Sequence, residues 1–100
     1  MKYTVAEIKQ HVAPVAKRYG VERVLMFGSY ARGEAAEGSD VDFRIDSGAL
    51  RGYFKLAGFC RELGENLQLG VDVLTTGSLD DEFLARIQGE EVLIYEHDAE

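Results

Sequence analysis

The sequence predicts an α/β fold of the α+β type, in which helices lie on one face of a small mixed β-sheet of three to four strands. Two observations predict it. Apolar stripes at helical spacing alternate along the chain with short β-prone runs, so that helix and strand follow one another four times. One run alternates strictly between apolar and charged residues, which is typical of a strand with one buried face. The 100 residues (1–100) are expected to form a single domain.

The first helix is predicted to begin at a capping box. The Thr4 hydroxyl can accept the Glu7 N–H while the Glu7 carboxylate reaches back to the backbone of Thr4. Pro14 should kink this helix or divide it in two, because proline lacks the N–H that the helix requires. Gly20 provides the stop, and the apolar run 21–27 predicts the first strand.

A short helix is predicted over residues 29–35, directly after Gly28. Residues 40–46 predict the second strand, because alternate side chains of a strand point to opposite faces. The apolar members of that strand are Val41, Phe43 and Ile45, and the charged members are Asp40, Asp42, Arg44 and Asp46.

The second half of the chain predicts a helix over 50–63, a strand over 71–74, a helix capped by Ser78 that ends near residue 87, and a strand over 92–95. The expected core positions of the long helix are Leu50, Phe54, Ala57, Phe59, Cys60 and Leu63.

Composition excludes several classes of protein. The net charge of −7 and the pI near 4.8 argue against broad, charge-driven binding of nucleic acid. A single cysteine excludes an intrachain disulfide, and no apolar run is long enough to span a membrane. We therefore expect a soluble, cytoplasmic protein without membrane association.

Chemistry-bearing residues surround the turn at Gly28 and Ser29. A Gly-Ser turn after a strand offers backbone N–H groups to an anion such as phosphate. Asp40 and Asp42 share one face of their strand, and Asp72 joins them if the third strand lies beside the second. Three crowded carboxylates repel one another unless a cation compensates, and Mg²⁺ is the usual choice for oxygen ligands. The sequence therefore predicts a phosphate site that faces a metal site.

This constellation resembles the signature of the DNA polymerase β-like nucleotidyltransferase superfamily. Residues 27–29 (Phe-Gly-Ser) are followed, after ten residues, by residues 40–43 (Asp-Val-Asp-Phe), and Asp72 stands where the family's third carboxylate is expected. The finer pattern, Gly-Ser-Tyr-Ala-Arg-Gly-Glu-Ala and then Ser-Asp-Val-Asp, is similar to that of the minimal nucleotidyltransferases of prokaryotes.

The resemblance implies the nucleotidyltransferase fold and a magnesium-dependent transfer of a nucleoside monophosphate from a nucleoside triphosphate, most often ATP, to a hydroxyl. It implies that Asp40 and Asp42 bind two Mg²⁺ ions, and that Asp72 assists one ion and deprotonates the acceptor. It also implies that Gly28 and Ser29 hold the triphosphate, and we count Arg32 and Ser39 as further candidates for nucleotide binding.

Many minimal members of this superfamily are antitoxins of a helical HEPN-domain ribonuclease toxin, and some adenylylate a tyrosine of that toxin. We therefore expect a HEPN toxin as partner, which would supply the acceptor that so short a chain cannot bind in a domain of its own. The alternative is a catalytically weak module that neutralises the toxin by non-covalent binding. Modification of a small hydroxylated compound, such as an aminoglycoside, would need a larger acceptor pocket.

Three local features of the sequence each allow two interpretations. Arg32 either contacts the triphosphate or pairs with Glu34 or Glu37. Arg44, where relatives carry an apolar residue, either pairs with a site carboxylate and weakens metal binding or contacts a phosphate or partner. The acidic residues near the C-terminus predict a solvated face or an edge that suits a basic toxin. They are Glu90, Glu91, Glu96, Asp98 and Glu100.

Overall fold

Seven regular elements follow one another in a computed structural model, which describes residues 3–98. In chain order they are α1 (Val5–Tyr19), β1 (Arg23–Phe27), β2 (Val41–Asp46), α2 (Tyr53–Leu67), β3 (Val71–Thr75), α3 (Asp81–Gln88) and β4 (Val92–Glu96). A single 3₁₀ turn, Thr76–Ser78, connects β3 to α3. None of the helices within 3–98 is both long and apolar enough to cross a bilayer.

The four strands form one mixed sheet in the order β3-β2-β1-β4. β1 pairs antiparallel with both β2 and β4, whereas β2 and β3 run parallel. Phe27, the last residue of β1, lies opposite Asp42, near the start of β2. The predicted mixed sheet is confirmed, and its pairing brings the end of β1, the start of β2 and the start of β3 to one edge.

The core lies between one face of this sheet and the helices α1 and α2. Both helices contribute fully buried side chains that cluster with the apolar residues of β1 and β2. The largest of these buried side chains are Phe43, Phe59, Ile8, Met26, Ile45, Leu63 and Leu67.

Helix α3 contacts the other face of the sheet. Its Phe83 ring meets the Phe27 ring edge-on, with the ring centroids 6.0 Å apart. Because Phe27 is the register partner of Asp42, it shares a face with that aspartate and not with the core residue Phe43. The expected layer of helices on one face therefore holds for α1 and α2, and the short α3 is the exception.

The start of α1 follows the prediction, and its interior does not. The capping box is present, with the Glu7 N–H donating to Thr4 Oγ1 at 3.1 Å and the Thr4 N–H donating to Glu7 Oε1 at 2.8 Å. The helix is not divided at Pro14, however, and runs unbroken from Val5 to Tyr19. Pro14 lies on the exposed side, where water can hydrogen-bond the carbonyl that loses its helical donor.

Helix α2 begins at Tyr53, three residues later than predicted, and the predicted core positions Leu50, Phe59 and Leu63 are confirmed as buried. Its buried residues are Phe59, Leu63 and Leu67, which recur at intervals of four. Phe54 precedes this stripe by five residues, which turns it well away from the core, and it is 90% exposed. The core assignments of Phe54 and Ala57 were therefore wrong.

The segment predicted as a short helix over 29–35 is a series of turns. The Arg32 N–H donates to the Gly28 carbonyl at 3.0 Å, which is one helix-like bond, but Gly33 then adopts a left-handed φ of +74° and propagation stops. We call residues 28–34 the Gly28 turn. The cap of α3 also differs, because Asp80 and not Ser78 accepts the Phe83 N–H.

Candidate active site

Strand β2 presents one apolar face and one charged face. Val41, Phe43 and Ile45 are fully buried in the core. By alternation, Asp42 points to the opposite face, where it is partly buried, and Asp40 stands exposed just before the strand. The two carboxylates therefore lie at the edge of the sheet where β2 begins.

The parallel pairing of β2 with β3 adds a third carboxylate. Asp72 lies directly opposite Asp42, and neighbours across a strand pair share a face. Val71 and Val73 pack against the core, while Asp72 is exposed. The structure thus brings the three aspartates together on one face of the sheet, as predicted, and α3 covers part of that same face. Their catalytic role remains a prediction.

The pKa of the Asp42 carboxyl lies above its usual range. Burial is the largest cause, followed by the negative charge of Asp72 and a hydrogen bond between the two side chains, and then by the charge of Asp40. The Arg32 cation acts in the opposite direction but does not outweigh them. The cluster therefore carries more negative charge than its surroundings compensate, which a bound cation would correct.

The oxygen ligands of this cluster fit Mg²⁺. Within residues 3–98, no three His, Cys, Asp or Glu side chains already stand where they could hold one ion together. Mg²⁺ does not require such a group, since it is usually held by one or two carboxylates and completes its shell with water and substrate phosphates. The adjacent Asp42 and Asp72 offer such a pair, and Asp40 is near enough to raise the Asp42 pKa.

Two glycines allow the carboxylates to approach the backbone closely. Gly28 has a φ of +79°, and a Cβ there would stand 2.2 Å from Asp42 Oδ2. A Cβ on Gly70 would stand 2.4 Å from Asp40 Oδ1. Any side chain at either position would displace a site carboxylate. The sequence motif identified Gly28, but Gly70 was missed, although its position two residues before Asp72 was a usable signal.

Ser29 and Ser39, two further predicted nucleotide-binding residues, each take part in a turn. The Ser29 carbonyl accepts the Glu34 N–H at 2.8 Å and so closes the turn. Further along, Ser39 Oγ accepts the Ala36 N–H at 2.9 Å, which makes a second turn just before Asp40. Ser39 therefore shapes the entry into β2 in this structure, and its contact with nucleotide remains a prediction.

Arg32 pairs with two carboxylates. Its Nε donates to Glu34 Oε1 at 3.0 Å, as one of the two readings expected. Its Nη1 also contacts both carboxylate oxygens of Glu90, at 3.2 and 3.3 Å, and the Gly28 N–H donates to Glu90 Oε2 at 2.6 Å. The solvated face predicted for the C-terminal acidic residues is therefore wrong for Glu90. Sequence reasoning missed this contact, which spans 62 residues.

Arg44 does not pair with the predicted metal ligands. Its Nε and Nη2 donate to the two carboxylate oxygens of Glu91 at 2.6 and 2.8 Å, in a bidentate pair, and its Nη1 donates to Thr76 Oγ1 at 2.8 Å. Asp46 Oδ1 lies 3.7 Å from Nη1. Arg44 and Glu91 are both nearly inaccessible, with 10% and 6% of their side chains exposed. Glu91 is thus a second exception to the predicted solvated face, while Glu100 lies outside the described residues.

A cavity of about 470 Å³ lies away from this site. Arg18, Tyr19 and Phe54 are among its lining residues, which include none of the predicted site residues. Its lining residues lie at the end of α1, in α2 and at Ala49, and none belongs to the Gly28 turn.

The fold and the site together define a nucleotidyltransferase. A glycine turn follows β1 and lies beside an aspartate cluster shared by β2 and β3 of a mixed sheet. The model of the nucleotidyltransferase domain family matches residues 8–95, and the chain belongs to this family of transferases.

Sequence relatives narrow the comparison. A protein of Methanocaldococcus jannaschii that is provisionally named a protein adenylyltransferase is 39% identical over 88 residues, which cover 88% of this chain and 95% of the relative. The protein adenylyltransferase MntA of Thermococcus cleftensis is 38% identical over 69 residues, which cover 69% of this chain and 70% of the relative.

Solved structures have the same fold. A provisionally identified minimal nucleotidyltransferase superposes with a TM-score of 0.77 at 29% identity, covering 89% of this chain and 91% of the other. A toxin-antitoxin crystal structure with AMP-PNP superposes with a TM-score of 0.76 at 14% identity, covering 90% and 74% of the two chains. A Shewanella oneidensis complex of a tri-AMPylated HEPN toxin with its MNT antitoxin gives 0.71 at 12%, covering 93% and 73%. The predicted minimal nucleotidyltransferase fold is confirmed.

Proposed function

We propose that this protein transfers AMP from ATP to a tyrosine hydroxyl of a HEPN-type toxin and thereby acts as its antitoxin. The observation that carries the proposal is the convergence of Asp40, Asp42 and Asp72 beside the Gly28 turn, at a position that solvent can reach. Two sequence relatives are named protein adenylyltransferases, the first of them provisionally, and these names support the same reaction.

The reaction makes one bond and breaks one. The acceptor hydroxyl oxygen bonds to the α-phosphorus of ATP. The bond between the α-phosphorus and the oxygen that links it to the β-phosphorus breaks, so that pyrophosphate leaves. In the proposed arrangement Asp72 takes the proton of the hydroxyl, because it is the most exposed of the paired carboxylates and can reach an acceptor from solvent. The backbone and side chain of Ser29, with Gly28 and Arg32, orient the phosphates.

Mg²⁺ is the proposed cofactor; the adjacent Asp42 and Asp72 are the pair that would hold it, and Asp40 is the third predicted ligand. When bound, the ion neutralises the charge that develops on the phosphate oxygens. The raised pKa of Asp42 supports this assignment, because a cation between the carboxylates would remove the repulsion that causes part of the shift.

The exposure of the aspartates also supports an external acceptor. Asp40 and Asp72 are exposed, and none of the predicted site residues lines the cavity of about 470 Å³. A side chain presented by a protein partner can therefore approach these carboxylates from solvent. The non-covalent alternative loses one of its two supports, because Arg44 pairs with Glu91 and does not neutralise the aspartates, while the shortness of the chain remains the other.

The test is transfer of label from α-labelled ATP to a HEPN-domain partner in the presence of Mg²⁺. We expect Asp42→Asn to lower the rate by about two powers of ten or more, since it removes a ligand whose charge acts in the transition state. Asp46→Asn is the matched control, because it makes the same change on the same face of β2, four residues further along.

The outcomes separate the two functions. Label that depends on Asp42 and survives Asp46→Asn supports adenylyl transfer. A tight complex with the partner that acquires no label with Mg²⁺ or Mn²⁺ would contradict adenylyl transfer and indicate neutralisation by non-covalent binding.

A further inference from the structure

Two neighbouring glutamates between α3 and β4 are held by different anchors. Glu91 is buried and binds the Arg44 guanidinium through both oxygens. Glu90 turns the other way and places its carboxylate on the Gly28 N–H and on Arg32. The fixed Glu91 therefore determines where the Glu90 side chain can reach.

The partners of Glu90 are the groups expected to bind phosphate. A backbone N–H and a guanidinium together form a typical site for an oxyanion. Both donors belong to the Gly28 turn, which the Arg32 N–H to Gly28 carbonyl bond holds closed. The pKa of Glu90 lies below its usual value, chiefly because of the Gly28 hydrogen bond; burial acts in the opposite direction, and the hydrogen bond and charge of Arg32 lower the pKa further. The carboxylate is thus bound there as an anion.

Resting on the proposed function, we infer that Glu90 is an internal anion that occupies the phosphate position at Gly28 and Arg32, and that a nucleotide phosphate must displace it. The side chain remains 24% exposed, so it can rotate into solvent while Glu91 stays in place. The contact is self-inhibitory, because the same two donors cannot serve Glu90 and a phosphate fully at once. A tethered competitor lowers the apparent affinity of the free ligand.

The inference predicts that removing the Glu90 charge tightens phosphate binding. Calorimetric titration of the whole chain with ATP and with inorganic tripolyphosphate, both with Mg²⁺, compares wild type, Glu90→Gln and Glu65→Gln. We expect Glu90→Gln to lower the Kd of both ligands about three- to tenfold, because the cradle is no longer shared with a charged side chain. Glu65→Gln removes the same charge from an exposed position on α2 and should change either Kd by less than about twofold, since distant exposed charges are screened.

Each outcome decides the matter. Wild-type binding with unchanged or weaker binding by a folded Glu90→Gln variant would overturn the inference and leave the proposed function standing. Absence of binding by all three proteins would overturn the proposed function itself, and the inference with it.

A measurement on the wild-type chain guards against a variant that fails to fold. In the ¹³C and ¹⁵N NMR spectra, saturating tripolyphosphate should shift both the Glu90 carboxyl and the Gly28 amide. A Glu90 carboxyl signal that stays unmoved while the Gly28 amide shifts would show that phosphate binds without displacing Glu90, and would refute the inference.

Discussion

The charged face of β2 has two halves. In one half the charged side chains are paired with opposite charges or hydrogen-bond donors, and in the other half like charges are clustered. Towards the end of the strand, Arg44 is bound by Glu91, and Asp46 accepts hydrogen bonds from Thr76 and Arg23. Towards its start, Asp42 meets two further carboxylates. We call these the compensated half and the aspartate half.

The pKa shifts record the same difference. Burial raises the pKa of Asp46, but hydrogen bonds from Thr76 and Arg23 and the nearby cations outweigh it, so the net pKa is lowered. For Asp42, burial and neighbouring carboxylates act together and raise the pKa. One half therefore contributes to folding, and the other stores a repulsion that a ligand can relieve.

The largest expected effect on stability comes from breaking the compensated half. Arg44→Leu should lower the free energy of unfolding by about 3 kcal/mol, because it leaves the buried Glu91 carboxylate without a counter-charge. Urea denaturation measures the change. The double variant Arg44→Leu with Glu91→Leu should recover most of the loss, since an apolar pair needs no compensation. A single variant that costs less than about 1 kcal/mol would contradict the comparison.

The next effect concerns the contact between the aspartate half and the Gly28 turn. Gly28→Ala should lower ATP affinity about tenfold or more, because its Cβ meets Asp42 Oδ2 at 2.2 Å in addition to the strain of a positive φ. Gly33→Ala is the matched control, since Gly33 also has a positive φ but a Cβ there meets nothing within 4 Å. Calorimetric titration should show near-normal ATP binding for Gly33→Ala. Equal losses in both variants would mean that strain alone matters.

The two halves should also respond to pH with opposite sign. Because the folded pKa of Asp42 is raised, the folded chain holds that proton more tightly, and Asp42 costs stability as the pH rises from 3.8 through its folded pKa. The folded pKa of Asp46 is lowered, so its contribution is present above pH 3.8 and is lost as the pH falls through the folded value.

Neutral variants separate these contributions. In metal-free buffer at pH 7, Asp42→Asn should stabilise the chain and Asp46→Asn should destabilise it, each by about 1 kcal/mol. The difference for Asp42→Asn should shrink as the pH falls through the raised folded pKa of Asp42 towards 3.8, whereas the difference for Asp46→Asn should shrink only below 3.8, as the pH falls through the lowered folded pKa of Asp46. Urea denaturation across pH in EDTA tests this. Loss of stability in both variants at pH 7 would erase the distinction.

The smallest effect is expected at the rim of the compensated half. Arg23 contacts Asp46 at 2.8 Å, but 45% of the Arg23 side chain is exposed. Arg23→Gln should therefore cost less than about 1 kcal/mol, and the cost should fall further in 0.5 M salt. Thermal denaturation at two salt concentrations measures it. A cost that matches Arg44→Leu would show that burial does not distinguish the two arginines.

Local pattern alone determined much of this protein. The strict alternation of β2 placed Asp42 and Phe43 on opposite faces, and the capping box located the start of α1 at Thr4. The motif of Gly28, Ser29, Asp40 and Asp42 resembles the signature of a nucleotidyltransferase, and the family model matches residues 8–95.

Tertiary structure decided what depends on distant residues. The phase of α2 was set by its contact with the core, which left Phe54 exposed. The sequence allows two interpretations of Arg44, and the fold pairs it with Glu91, which is 47 residues away. Glu90 reached Gly28 across 62 residues. A charged side chain pairs with whichever opposite charge the fold brings near it. The periodic pattern of the sequence does not show which distant residue that will be.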